Sequence, residues 1–328
     1  MSTRDLRRRV IVIVGASSGV GRAAALGFAD HGCRLVLAAR SERVLHEVAV
    51  QCRARGAETV VVPADVAYPV AVDRIGCLAL DAYGCVDVWV HAAAGIVAAR
   101  FGDEPLDELR RLVDVDILGY VHGARTAVSI FRRQRYGMLV NVGSVLGIVP
   151  NPLVPTYVMS KFAVTGLTRA VASGTEGDGD IDVCLVLPGP VDTPLFQHAA
   201  NHTGRQIRAI PPACAPERAA AAIVRCAQRP RRQVPVGLMA YLVMLGHRTV
   251  PLLTDRFVAA WSGRLILGPN RAPNSPGTLF EPAAGGQVHG GWRRWAWRRR
   301  VGEWVGRTQS RRGVRRSRPV AIRAQRRA

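Results

Sequence analysis

Two residues with ionisable side chains stand four positions apart in the segment Tyr157-Val-Met-Ser-Lys161. On a helix, residues at this spacing lie on one face. A free phenol has a pKa near 10, and a lysine ammonium about 4 Å away lowers it by at most about three units. We therefore predict that Lys161 lowers the pKa of Tyr157. Tyr157 would then exchange a proton with a carbonyl or alcohol oxygen while hydride moves at the carbon. Ser144, 13 residues earlier, could hydrogen-bond the same substrate oxygen.

Lysine occurs once in the chain, at position 161, although Lys and Arg together number 45. Arginine carries the positive charge everywhere else, so the single lysine indicates a site where a guanidinium group fails. Arginine stays protonated, whereas lysine is a compact charge that can exchange protons. Chance alone would place the lysine four residues after a tyrosine in roughly 2% of arrangements.

A glycine-rich segment with the spacing G-x-x-x-G-x-G separates an apolar run from a helical pattern. Glycines let backbone N–H groups approach a pyrophosphate, and the N-terminus of the following helix favours the anion. Two serines inside the segment add hydroxyl donors. The pattern predicts a dinucleotide phosphate loop, with a plain glycine turn as the alternative. The residues concerned are Gly15, Ser17, Ser18, Gly19 and Gly21.

Two charged residues follow the second and third predicted strands. An acidic residue after the second strand would hold a ribose diol, but this chain has Arg40 there. Arg40 therefore favours a 2′-phosphate, and so NADP in preference to NAD, unless it is only a solvated surface residue. Asp65, after the third strand, could accept a hydrogen bond from the adenine amine, and a turn aspartate explains it equally well.

Short apolar runs alternate with helical patterns over residues 10–230. This alternation predicts an α/β fold, a doubly wound parallel sheet of Rossmann type covered by helices on both faces. Strands are predicted at 10–14, 34–38, 59–62, 86–90, 138–142 and 181–187. The main helices are predicted at 20–30, 41–55, 106–135, 156–173 and 216–228.

Composition limits the class of protein. The 328 residues are 48% hydrophobic, enough for one large domain with extra segments. No apolar run reaches the roughly 18 residues that span a bilayer. The seven cysteines are scattered and contain no C-x-x-C pair. We therefore predict a reduced, cytoplasmic protein without a metal site, with membrane association left open.

Three regions are predicted from changes in composition. Residues 1–230 form the NADP-binding catalytic domain. Residues 231–266 form an apolar C-terminal extension, which could be a lid, a subunit interface, a membrane-surface segment or ordinary packing on the body. A lid would imply a lipophilic substrate.

Residues 267–328 form an Arg/Trp-rich tail, and its last 38 residues hold 14 arginines and one glutamate. Such a tail suits an anionic membrane surface or a nucleic-acid backbone. We favour a third interpretation, a disordered and solvated tail. Deletion of residues 268–328 is therefore expected to leave activity unchanged.

Together these motifs resemble the short-chain dehydrogenase/reductase family over about residues 8–230. The resemblance implies a seven-stranded sheet, catalysis by Ser144, Tyr157 and Lys161, and a small-molecule carbonyl or alcohol substrate. It also implies that the helices at 106–135 and 156–173 pair subunits into a homodimer or homotetramer. A further implication is that Val191 and Thr193 hold the nicotinamide carboxamide. The implied cofactor site comprises Gly15, Ser17, Ser18, Gly19, Val20, Gly21, Arg40, Asp65, Val66, Ala93, Tyr157, Lys161, Pro188, Gly189, Val191 and Thr193.

Three positions depart from the family pattern. Val14 replaces the usual threonine before the first loop glycine, and His91-Ala-Ala-Ala-Gly95 replaces N-N-A-G. Asp116 stands where the fourth catalytic residue is an asparagine that holds a relay water near the lysine. An aspartate there would keep Lys161 protonated and dampen the relay. The alternative function is therefore a nucleotide-binding or membrane-attached protein of the same fold that has lost turnover.

Overall fold

A seven-stranded parallel sheet forms the centre of the computed structural model, which describes residues 4–293. Its strand order is β10-β7-β6-β4-β1-β2-β3, and each neighbouring pair is parallel. The predicted doubly wound parallel sheet is confirmed. The described strands are β1 (Val10–Val14), β2 (Arg34–Ala39), β3 (Glu58–Pro63), β4 (Val88–His91), β5 (Val97–Ala98), β6 (Tyr136–Val142), β7 (Asp180–Pro188), β8 (Ala200–Asn201), β9 (Arg205–Ile207), β10 (Gln233–Val236) and β11 (Leu267–Arg271).

Helices cover both faces of the sheet. Ile11 and Ile13 of β1 pack in a cluster with α1, α2 and α7, whereas Val12 and Val14 pack with α3 and α5. Successive side chains of a strand point to opposite faces, so a strand buried on both faces must be apolar throughout. The helices are α1 (Gly19–Ala29), α2 (Glu42–Arg53), α3 (Pro69–Tyr83), α4 (Leu106–Val113), α5 (Gly119–Gln134), α6 (Pro155–Gly174), α7 (Pro216–Gln228), α8 (Leu238–Thr249) and α9 (Pro251–Leu265).

Strand order reverses beside β1, which lies between β2 and β4. Val14, the last residue of β1, is paired with Ala38 of β2 and with His91 of β4. In sheets of this kind a crevice opens at the carboxyl ends of the strands where the order reverses. The fold therefore places the loops after β1, β2, β4, β6 and β7 around one cleft.

The long helix predicted over residues 106–135 is interrupted. A π-helical turn at Asp114–Leu118 separates α4 from α5. Such a turn accommodates an extra residue in the helix and recurs at functional sites. It directs Asp116 into the interior, where the residue is fully buried.

The seventh strand lies beyond the predicted domain boundary at residue 230. β10 pairs with β7, with Gln233 opposite Leu185 at one end and Val236 opposite Pro188 at the other, and it forms one edge of the sheet. Pro235 lies within β10, and a proline is tolerated in an edge strand. The sheet therefore ends inside the segment that was predicted to be an extension, and α8 and α9 follow it as a helical hairpin.

Residues 275–293, called the strap below, lie against the loops at the carboxyl ends of the strands. Gln287 O of the strap accepts a hydrogen bond from Gly19 N–H (2.9 Å). Thr278 N–H of the strap donates a hydrogen bond to His198 O (2.9 Å). The structure therefore differs from the disordered tail predicted to begin at residue 267, because the backbone polar groups of this segment find partners on the body. The basic remainder, residues 294–328, lies outside the described residues.

No helix within residues 4–293 combines the length and the apolar character that a bilayer crossing requires.

Candidate active site

One cavity of about 640 Å³ opens at the carboxyl ends of the strands. Of the residues predicted for catalysis and cofactor binding, only Gly21 and Asp116 do not line it. Both lie directly behind the wall. Gly21 packs against the backbone of Gly15, and Asp116 contacts Lys161. The structure thus brings residues from six separate loops and from α6 to one place.

The phosphate loop is shaped by contacts that exclude side chains. Gly15 has φ +89°, and a Cβ there would lie 2.5 Å from Ala93 N. A Cβ on Gly21 would collide with the carbonyl oxygen of Gly15. The loop needs no threonine at position 14, because the N–H groups of Gly15 and Ala16 both donate to Ala38 O, at 2.8 and 3.1 Å. The loop is therefore a close-fitting backbone cradle at the start of α1, which suits a pyrophosphate.

Ser144, Tyr157 and Lys161 meet at the other end of the cavity. α6 begins at Pro155, a favoured first helical residue, and carries Tyr157 and Lys161 on one face. The Lys161 Nζ atom lies 5.2 Å from the centre of the Tyr157 ring. Ser144 follows β6 and accepts a hydrogen bond from Leu146 N–H (3.1 Å). Its hydroxyl also lowers the pKa of the Tyr157 phenol.

A buried ion pair joins Lys161 to Asp116. The Nζ and Oδ2 atoms are 3.2 Å apart, and the two side chains are 1% and 0% exposed. Gly95 N–H donates to the other carboxylate oxygen at 2.6 Å. Burial is the largest single influence and lowers the pKa of Lys161, but the charge and hydrogen bond of Asp116, together with Tyr120 and Tyr157, outweigh it, so the net shift is upward. Burial raises the pKa of Asp116 more than the Lys161 ammonium and the Gly95 hydrogen bond lower it, so its net shift is also upward. The mutual neutralisation and the Gly95 hydrogen bond favour the ionised pair.

The predicted lowering of the Tyr157 pKa is wrong for the protein alone. Burial raises the pKa of Tyr157 more than the Lys161 charge lowers it, and the Asp116 charge raises it further. Transfer of a phenolate out of water is costly, and the carboxylate offsets much of the benefit of the ammonium. Tyr157 therefore stays protonated at neutral pH.

Two aromatic residues beside Lys161 were missed in the sequence. Tyr120 is fully buried, donates to Val142 O at 2.7 Å, and its ring centre lies 4.9 Å from Lys161 Nζ. The His91 ring packs on Tyr120 with centres 4.1 Å apart. Burial, and then the Lys161 charge, lower the pKa of His91 to about 3, so the imidazole is neutral. The available signal was that Tyr120 stands four residues after Asp116, on the same side of the helix.

Arg40 and Asp65 lie at the end of the cavity beside β2 and β3. The Arg40 guanidinium is half-buried and donates to Leu279 O (2.8 Å) and Thr278 O (2.6 Å) of the strap. Asp65 pairs with Arg111 and accepts a hydrogen bond from its own turn, from Ala67 N–H at 3.1 Å. Asp65 therefore has the turn role, one of its two predicted alternatives, and it also lines the cavity.

The hairpin of α8 and α9 forms the apolar wall of the cavity beside the catalytic residues. The hairpin thus lines part of the cleft, and the roles predicted for residues 231–266 stay predictions. Several of its large apolar side chains are exposed without lining the cavity, including Leu245 and Leu252. The apolar cavity residues of the hairpin are Met239, Leu242, Val243, Val250, Leu253, Phe257, Val258 and Trp261.

Within the part of the chain that the structure describes, no cluster of three or more His, Cys, Asp or Glu side chains is placed to hold a metal ion.

Comparison with known proteins identifies the family. A model of the short chain dehydrogenases matches residues 9–204, more than half of the chain. The chain belongs to this family. It is similar to an uncharacterized oxidoreductase of Bacillus subtilis, YxnA, with 33% identity over 266 residues, 79% of this chain and 73% of that protein. It is also similar to 11-beta-hydroxysteroid dehydrogenase A of Sesamum indicum, with 33% identity over 244 residues, 71% of this chain and 69% of that protein.

A solved structure shows the same architecture. The short chain dehydrogenase/reductase from Burkholderia phymatum in complex with NAD superimposes with a TM-score of 0.68 at 25% identity. The match covers 76% of this chain and 96% of that chain. This short-chain dehydrogenase is therefore an NAD(P)-dependent oxidoreductase acting on CH–OH or C=O groups. The matched family region, 9–204, includes the phosphate loop and the catalytic residues and ends before the hairpin and the strap.

Proposed function

We propose that this short-chain dehydrogenase transfers hydride between NADP(H) and a lipophilic carbonyl or alcohol, with Tyr157 as the acid and base. The observation that carries the proposal is one cavity with the glycine cradle and Arg40 at one end and Ser144, Tyr157 and Lys161 at the other. The cofactor, when bound, supplies or accepts the hydride. The cradle is fitted to its pyrophosphate and Arg40 to its 2′-phosphate.

The protonated state of Tyr157 suits carbonyl reduction. In that direction the Tyr157 hydroxyl donates its proton to the substrate oxygen, and the Ser144 hydroxyl hydrogen-bonds the same oxygen. Oxidation of an alcohol requires the phenolate, which burial disfavours. We therefore propose that alcohol oxidation becomes faster as pH rises, whereas carbonyl reduction starts from the protonated phenol present at neutral pH.

Asp116 acts on the reaction through Lys161. The carboxylate keeps Lys161 charged, and the ammonium lies 4.9 Å from the ring centre of Tyr120 and 5.2 Å from that of Tyr157. From there Lys161 can hydrogen-bond the nicotinamide ribose and stabilise a phenolate. The same ion pair favours the second candidate, a protein that binds the nucleotide without turnover, because a carboxylate in place of asparagine opposes proton relay through Lys161.

A ketone series tests the proposal and separates the two candidates. Purified full-length protein is assayed with straight-chain ketones of increasing length, following NADPH absorbance, while NADPH binding is measured by fluorescence. Each added methylene buried against the hairpin contributes about 0.8 kcal/mol, so kcat/KM should rise about fourfold per methylene until the cavity is filled. NADPH binding without oxidation by any carbonyl would favour the second candidate, and a flat series would reject the lipophilic substrate.

Arg40 provides a test of cofactor preference. Arg40→Ala removes the charged donor proposed for the 2′-phosphate, worth about 1.5–3 kcal/mol, so kcat/KM for NADPH should fall about 10-fold to 150-fold. The value for NADH should change much less, because NADH lacks that phosphate and feels only the loss of the two hydrogen bonds from Arg40 to the strap. Arg55→Ala is the control, since Arg55 pairs with Asp30 on the surface, outside the cavity. An unchanged NADPH-to-NADH ratio in the Arg40 variant would show that Arg40 does not select the cofactor.

We also propose a homodimer or homotetramer in the cytoplasm. On the helical segments that the family resemblance assigns to subunit pairing, Leu118, Met159 and Phe162 are 41–46% exposed, and such apolar surface is typical of an interface. The seven free cysteines support a reducing compartment. Light scattering of the purified protein measures the assembly, and a monomer at micromolar concentration would contradict this proposal.

A further inference from the structure

The strap crosses the whole cleft in which we place the cofactor. At the end beside β2, the carbonyl groups of Thr278 and Leu279 accept both hydrogen bonds of the Arg40 guanidinium. Leu279 is 5% exposed, and its side chain reaches the turn at Gly95. The strap is therefore anchored at the residue proposed to bind the 2′-phosphate.

In the middle of the cleft the strap lies on the phosphate loop. Gln287 O accepts the Gly19 N–H at 2.9 Å, and Gly286 O accepts a short hydrogen bond from Arg22. Gly286 is packed so closely that a Cβ there would collide with Ser17 O. Only a residue without a side chain fits between the strap and the loop at this point.

At the far end the strap is held by the loop after β7, where the nicotinamide carboxamide is expected. Trp292 donates from its backbone to Asp192 Oδ1 at 2.7 Å and from its indole to Thr193 O at 2.9 Å. Gly290 N–H donates to Asp192 O at 3.1 Å. The strap thus has three anchor points, each on a loop that contributes to the proposed cofactor site.

The space beneath the strap remains open. Thr278, Leu279, Pro282 and Ala283 line the same cavity as the phosphate loop and Tyr157. Its volume of about 640 Å³ lies within the range of about 300–1,000 Å³ usual for small-molecule and cofactor sites. The strap therefore covers a cavity of the size that a cofactor site requires.

We propose that the strap is a wall of the dinucleotide site, contributed by a segment outside the matched family region, and that it closes over the bound cofactor. The cofactor then enters and leaves only when the strap opens, so its exchange is slow. This inference rests on the proposed NADP(H) site. It also replaces the expectation that deletion of residues 268–328 leaves activity unchanged.

The test loosens the strap by a single methyl group in the full-length protein. Gly286→Ala places a Cβ against Ser17 O and 2.5 Å from Val44 Cγ1, so the strap must lift. Gln287→Ala is the matched control, because its side chain is exposed and the carbonyl bonded to Gly19 is retained. NADPH association and dissociation rates are measured by stopped-flow fluorescence. Both rates should rise about tenfold or more in Gly286→Ala and stay unchanged in the control.

A second variant separates strap opening from damage to the phosphate loop. Gly290→Ala introduces a Cβ that would collide with Thr193 O at the other end of the strap, and it should raise both rates as well. Unchanged rates in both glycine variants would overturn the inference. So would faster association with unchanged dissociation, because the strap would then compete with the cofactor and not enclose it. If the wild-type protein binds no NADPH, the proposed function fails instead.

Discussion

Tyr157→Phe should lower kcat/KM for carbonyl reduction by about 10²–10⁴-fold, the usual contribution of a positioned general acid. The substitution removes only the hydroxyl group, and the ring stays packed beside Lys161. The cavity keeps its shape, so the NADPH dissociation constant should remain near the wild-type value. Steady-state kinetics with the best ketone of the series, combined with NADPH titration by fluorescence, measures both quantities.

The control for this variant is Tyr136→Phe, which removes a phenolic hydroxyl at the start of β6, the opposite end of that strand from Ser144. It should leave kcat/KM unaltered. Wild-type turnover in Tyr157→Phe would show that Tyr157 is not the proton donor. If the native enzyme and the Tyr157 variant both bind NADPH and both lack turnover, the chain is the non-catalytic alternative.

Lys161→Met should destabilise the protein by about 3–5 kcal/mol, the usual cost of leaving one partner of a buried ion pair alone. Asp116 is fully buried, and Lys161 is its counter-ion at 3.2 Å. Urea unfolding monitored by tryptophan fluorescence measures the free energy of unfolding. Activity should be lost as well, because the charge that stabilises the phenolate is gone.

The loss of stability in Lys161→Met should depend on pH. Without the ammonium, burial is the dominant influence on Asp116 and holds its pKa above that of the unfolded chain. A carboxyl group whose pKa is raised by folding costs stability as pH rises above its unfolded value of about 3.9. The deficit relative to wild type should therefore be largest at neutral pH and shrink as the pH falls toward 4.

The double variant Asp116→Asn/Lys161→Met separates charge from packing. It removes both members of the pair, and the amide oxygen of asparagine can still accept the hydrogen bond from Gly95 N–H. We expect most of the lost stability to return while activity stays absent. If Lys161→Met is as stable as wild type, or the double variant is less stable than Lys161→Met, the buried pair is not ionised as described.

Much of the site follows from short-range patterns in the sequence. The apolar run 10–14, the glycine spacing after it and the helix that follows are local features, and the structure contains the predicted β1, loop and α1. The spacing of Tyr157 and Lys161 is also a local feature, because a helix places residues four apart on one face whatever surrounds it. The alternation of apolar runs and helices was likewise sufficient to predict the parallel sheet.

Other features depend on contacts between residues far apart in the chain. Burial of Tyr157 reverses the expected shift of the phenol pKa, and the nearby charge of Asp116 adds to it. Both are properties of the packed protein. The ring of His91 reaches Lys161 through Tyr120 only because β4 and α5 pack together. The strap meets the phosphate loop across 268 positions, from Gly19 to Gln287.

For this protein the sequence by itself predicted the candidate catalytic residues and determined the order of the elements that carry them, since both rest on spacing of a few residues. The tertiary structure alone decided the state in which Tyr157 and Lys161 work, the strand that completes the sheet and the segment that roofs the cavity. These depend on desolvation and on long-range backbone hydrogen bonds, which no local pattern in the sequence records.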